Sequence, residues 1–121
     1  MSNRGIYHVE SGKTLIPEAK WCNSYLTKLR GMTFRRSLAQ DGGLVLVEKS
    51  DNRVNSGITM LFTFIDLGII WVNDAGEVVG TLVARPWRLS YLPPQPARYV
   101  IEGHPSILEK VNLGDHIEFK D

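Results

Sequence analysis

With Cys22 as its one cysteine in 121 residues, the chain can close no internal disulfide and offers no thiolate set for zinc or an iron and sulfur cluster. That usage fits a reducing compartment. Neither sign of charge is in surplus: 14 Lys plus Arg stand against 13 Asp plus Glu, a formal net charge of +1. There is no global field of the kind that draws a protein to nucleic acid or an anionic membrane, so a polyanion would have to find a local patch. Long apolar runs are also missing. The longest is broken by Asp66 and Gly68 and falls short of the roughly 20 residues that cross a bilayer. Residues 1–8 contain no apolar stretch of the sort a secretory signal needs. These absences point to a cytoplasmic chain without a membrane span. No internal repeat or low-complexity segment is present. Gly42 and Gly43 lack the Lys and Ser or Thr of a phosphate loop, and no Ser lies in a nucleophile elbow. His8, His104 and His116 show no ligand spacing, and Cys22 has no His beside it, so neither a metal nor a cofactor is expected.

What is present reads as one compact domain over 1–121, 43% hydrophobic, built mostly of short strands. Ile6 to Glu10 and Lys13 to Ile16 flank a Ser11 Gly12 turn and predict an opening hairpin. Tyr25, Leu26, Leu29 and Met32 recur at helical spacing after an Asn23 or Ser24 cap, with Gly31 as the stop, and give the best helix candidate. Leu44 to Val47 reads as a buried strand and Ser50 to Gly57 as a polar loop. The run Met60 to Val72 holds two strand-length pieces with a bend at Thr63 or Gly68. Asn73 to Gly76 is the strongest hairpin turn. Pro86, Pro93, Pro94 and Pro96 exclude a central strand from the segment carrying Trp87 and Tyr91. Arg98 to Glu102 and His116 to Phe119 are further strands, and Ser106 to Lys110 is one helical turn or two. The fold class is therefore mainly β, a small sandwich or barrel with one helix at an edge.

The stretches 28–35 (Lys-Leu-Arg-Gly-Met-Thr-Phe-Arg), 43–47, 60–67, 74–79 and 97–102, taken in order and spacing, resemble the family known as domain of unknown function 192. The resemblance spans most of the chain. It implies a mainly β fold of sandwich or jelly-roll type with a helix packed at one edge, and it carries no established activity. Where family members often continue after the Glu with a small-residue turn, this chain has Gly103 His104 Pro105.

Two sets of residues could carry function. Asp66 is the one acid in a core-like stretch, so it must be hydrogen-bonded, paired or facing a cavity. Its structural role, accepting backbone N–H groups where a strand bends, is preferred to general acid or base catalysis. With Glu102 it forms the alternative reading of a small hydrolase or lyase using two carboxyls. The second set is basic and aromatic. Arg30, with Arg35 and Arg36, follows the helix, while Arg85, Arg88 and Arg98 surround Trp87 and Tyr91, and Met60 heads the neighbouring run. Guanidinium groups bind carboxylate or phosphate in a bidentate manner and stack on rings. The expected function is thus a non-enzymatic binding or accessory module whose groove takes a small anionic or glycan-like ligand or a protein partner; nucleic acid is disfavoured by charge.

Overall fold

The computed structural model describes residues 3–23, 38–39, 41–60, 63–88 and 90–121. Within them lie β1 (Asn3–His8), β2 (Thr14–Cys22), β3 (Gly43–Asn52), β4 (Leu67–Val72), β5 (Val78–Ala84), β6 (Ala97–Gly103) and β7 (Ile117–Lys120), with a 3₁₀ helix at Pro105–Lys110. The seven strands form one sheet in the order β5-β4-β6-β3-β2-β1-β7. It curls into a half-barrel. Its two edges touch where Glu77 bridges His116, and where the Ile117 N–H donates to the Gly76 carbonyl and the Val78 N–H to that of Asp115, each at 2.8 Å. The mainly β, barrel-like expectation holds. No helix among the described residues is long and apolar enough to cross a membrane.

Both expected hairpins form for the reasons their residues give. The β1–β2 turn passes through Gly12 at φ +71°, and the β4–β5 turn through Gly76 at φ +86°, left-handed conformations that cost a side chain about 1–2 kcal/mol. In the second turn the Asn73 side chain also accepts the Glu77 N–H at 2.9 Å. Alternation along the strands then separates two apolar faces. Ile6, Ile16, Val45, Ile70 and Ile101 fill one face with Ile107 of the 3₁₀ helix, while Leu44, Met60, Leu67, Ile69, Trp71 and Val100 fill the other. All six residues of β4 are buried, so both of its faces are covered and its sequence reads as an unbroken apolar run.

At one end of the half-barrel Gly43, Gly103 and Gly68 pair across β3, β6 and β4. This row of absent side chains lets Ile107 seat against the sheet, its Cδ1 3.0 Å from where a Cβ on Gly103 would stand. A Cβ at Gly43 would lie 2.6 Å from the backbone oxygen of Glu102 and 2.6 Å from Ile16 Cδ1. Gly43→Ala is therefore expected to destabilise the fold by about 1–3 kcal/mol through overpacking, read as a lower urea midpoint with unchanged slope.

Several boundaries differ from expectation. The Met60 run does not supply two strands among the described residues: β4 starts at Leu67, and Thr63 to Asp66 lies outside any strand. The Thr63 N–H turns back to the Met60 carbonyl at 3.1 Å, and Met60 bonds instead to Arg88 O and Trp87 N–H, so the segment is diverted before it can pair. β3 extends to Asn52, shortening the polar loop, and β2 runs on past Pro17 to Cys22. The helix expected from Asn23 onward falls on residues 24–37, outside those described.

Candidate functional site

Opposite the 3₁₀ helix, the half-barrel opens into a cavity of about 580 Å³. Five strands line it. β2 contributes Trp21, β6 Tyr99 and β7 Phe119, three rings in mutual contact with centroids 4.8 to 6.0 Å apart. Trp21 and Phe119 meet edge to face at 70°, an arrangement that matches the ring quadrupoles. Two guanidinium groups lie over these rings: Arg4 of β1 is 4.0 Å from the Trp21 centroid, and Arg98 of β6 is 5.0 Å from that of Tyr99. Val47, Glu48 and Lys49 of β3 complete the wall.

The cations are positioned but not consumed. Arg98 donates through Nε to the Glu48 carbonyl at 2.9 Å and through a terminal nitrogen to Asp74 at 2.7 Å. Arg4 pairs with Asp121 at 3.0 Å. The carboxylates of Asp74 and Asp121 are 64% and 84% exposed, and ion pairs so open to water contribute only about 0–1 kcal/mol. An incoming anion can displace them at little cost.

The residues singled out in the sequence divide between two places. Asp66, Arg85, Trp87, Arg88, Tyr91 and Met60 do meet, where residues 85–88 and 91 cross residues 58–60 and 64–66. Ile58 and Tyr91 form an isolated bridge, and the Tyr91 hydroxyl accepts the Arg85 N–H at 3.0 Å. Trp87 stands at φ +66° and packs edge on to Phe64, centroids 5.5 Å apart. Met60 is buried in the core, so its side chain serves packing rather than a ligand. Arg98 is not in this group. It lies beside Tyr99, which pairs with Val72, whereas Arg85 follows Ala84, which pairs with Leu67; the two are separated by the length of β4, about 17 Å. Arg30 lies outside the described residues.

Asp66 departs from its expected setting. It precedes β4 at a half-exposed position outside any strand and is held by Arg85 at 2.5 Å, with no backbone N–H donating to it among the described residues. Glu102 is the acid that is buried. It faces the second core, between Leu44 and Ile69 on the neighbouring strands, and no hydrogen-bond partner is found for its carboxyl among the described residues. Burial pushes that carboxyl up to about 7. Asp66 precedes Ile69, the strand partner of Glu102, by three residues, roughly 10 Å of extended chain. Cys22 faces the same core, and its thiol is pushed up first by burial and further by Glu102, which leaves it a poor nucleophile.

A cluster with no local signature in the sequence lies where the β1–β2 turn meets the turn before β7. His8 and Asp115, 107 residues apart, are joined at 2.7 Å, with Glu10 3.8 Å from the same ring nitrogen. His116 bonds to Glu10 through its ring at 2.7 Å and its backbone N–H at 2.8 Å, and these bonds hold the Glu10 carboxyl down to about 2. The hydrogen bond from His8 likewise lowers Asp115, and that to Glu10 raises His116.

The profile of the domain of unknown function 192 family, described as uncharacterised ACR, matches residues 7–119. The chain belongs to this family. Members similar to it include a UPF0127 protein of Pyrococcus furiosus, 31% identical over 114 residues that cover 93% of this chain and 95% of the relative. Another, from Thermococcus kodakarensis, is 30% identical and covers 94% and 72%. Among solved structures, a protein of unknown function from Novosphingobium aromaticivorans superposes with a TM-score of 0.80 at 19% identity, over 96% of this chain and 83% of that one. A candidate transcription regulator of Sinorhizobium meliloti reaches 0.82 at 20%, over 98% and 96%. At such identities the likeness establishes the fold that the domain of unknown function 192 member shares with them.

Proposed function

We propose that this protein is a non-enzymatic binding module that takes a small anionic, ring-bearing ligand of glycan-like character in the pocket at the open end of the half-barrel. The observation that carries this reading is the stacking of Arg4 and Arg98 over Trp21 and Tyr99 around a cavity of about 580 Å³. Volumes of about 300–1,000 Å³ with a few fixed polar groups are typical of small-ligand sites. A sugar or other flat ring would lie against the aromatic floor while its carboxylate or sulfate engages the two guanidinium groups. Catalysis through Asp66 and Glu102 is less well supported, since Glu102 is buried against the second core while Asp66 stands half-exposed beside Arg85.

Tryptophan fluorescence and nuclear magnetic resonance titration with a sulfated disaccharide test the proposal. Wild type is expected to bind, with shifts confined to Trp21, Tyr99 and the arginines around them. An Arg4→Ala, Arg98→Ala double variant is expected to bind at least about tenfold more weakly, because each charge-assisted bond contributes about 1.5–3 kcal/mol. Binding that is indifferent to both arginines, or absent in wild type, would overturn the reading.

A further inference from the structure

The junction of the β1–β2 turn with the turn before β7 offers a chemistry that the pocket does not. We propose that His8, Glu10 and Asp115 form a binding site for a divalent first-row transition-metal ion. One ligand atom from each residue lies within 4.8 Å of the others. The His8 Nε2 atom is 2.7 Å from Asp115 Oδ2 and 3.8 Å from Glu10 Oε1. These separations bracket the spacing of about 3.4 Å that a tetrahedral ion with bonds of about 2.1 Å imposes on its ligands.

The imidazole makes this more than an acidic rim. His8 has only 9% of its side chain exposed, and Ser11 Oγ sits 2.7 Å from its Nδ1, which leaves Nε2 as the atom directed at both carboxylates. Without an ion Nε2 carries the proton shared with Asp115 at 2.7 Å, and Nδ1 faces the Ser11 N–H at 3.3 Å. An ion takes the place of that proton on Nε2, which goes to solvent, and the ring regains one from solvent on Nδ1, where Ser11 Oγ accepts it as the Ser11 N–H turns away. This outer hydrogen bond is the usual means by which a ligating histidine is oriented. Asp115 is fixed by the Asn112 N–H at 2.9 Å, and Glu10 by the ring and backbone of His116, so Ser11 and His116 are positioning residues. The two carboxylates supply the negative charge that a divalent ion would neutralise. A nitrogen with two carboxylate oxygens suits zinc, cobalt, nickel, iron or manganese, while an all-oxygen site would suit magnesium or calcium.

Titration of the intact protein with Co²⁺, followed by visible absorption, reads the coordination directly. One equivalent is expected to produce d–d bands, which Zn²⁺ then displaces. Glu10→Gln and Asp115→Asn are each expected to weaken Co²⁺ binding at least tenfold, and Ser11→Ala by about tenfold through the lost orienting bond. Should Asp115→Asn lose its fold by circular dichroism, Glu10→Gln decides alone, because the Glu10 side chain is 42% exposed and outside the core. Absence of d–d bands at millimolar Co²⁺, or bands that persist at full strength in Glu10→Gln, would overturn the assignment.

Discussion

Glu102→Gln is expected to stabilise the fold by up to about 3 kcal/mol at about pH 8 and to leave it nearly unchanged at about pH 4. In the folded chain burial holds this carboxyl at about 7, against 4.5 when unperturbed. As pH rises through 4.5 the unfolded chain releases its proton first, while the folded one retains it until about 7. Across that window the unfolded state binds fewer protons, so stability falls with rising pH and then levels off. Glutamine has the shape of the protonated acid and cannot ionise, so it removes the loss without disturbing Leu44 or Ile69 on either side. Urea unfolding of both proteins across this range checks the result. A difference that does not grow with pH would show that the carboxylate is solvated or paired after all.

Trp71→Ala is expected to cost about 3–5 kcal/mol, enough to unfold a domain of this size at moderate temperature. Trp71 is 1% exposed near the end of β4, and its Nε1–H donates to the Ser56 carbonyl at 2.8 Å. The ring therefore does two things: it fills the second core, and it anchors the 52–57 loop. In that loop Asn52 Oδ1 accepts the N–H groups of Val54 and Asn55, each at 2.8 Å, and the Ser56 hydroxyl donates to the Asn52 carbonyl. Trp71→Phe separates the two contributions. It keeps most of the packing, leaves the buried Ser56 carbonyl without its donor, and should cost about 1–3 kcal/mol. Thermal unfolding of the two variants, with amide exchange at Val54 to Gly57, checks both expectations.

Features set by neighbouring residues were legible in the sequence. The Asn73 to Gly76 turn shows itself by turn residues between apolar runs, and the prolines around Trp87 exclude a central strand on their own. The misreading of Met60 to Asp66 has a specific cause: apolar, β-branched composition favours a strand, but the backbone of Met60 is taken by Trp87 and Arg88, a contact that propensity cannot encode. The pocket was visible only in type. Arg98 and the pairing of arginine with aromatics were anticipated, yet Arg4, Trp21, Tyr99 and Phe119 come together from four strands whose order no local pattern reveals. A usable hint was that each ring continues the inward alternation of its strand. The His8 and Asp115 contact is harder still, since it depends on β1 pairing with β7.

That pairing also orders events in time. β1 finds its hairpin partner β2 within a few residues, but its other side meets β7, from Gly5 with Lys120 to His8 with Ile117, after every other strand of the sheet has been made. During synthesis on a ribosome the outer backbone groups of β1 therefore stay open as an unpaired edge, a template for association with another nascent chain. Sequence separation of this kind also makes the closing step slow compared with hairpin formation. The half-barrel is thus a fold whose first strand is stitched on its outer side last.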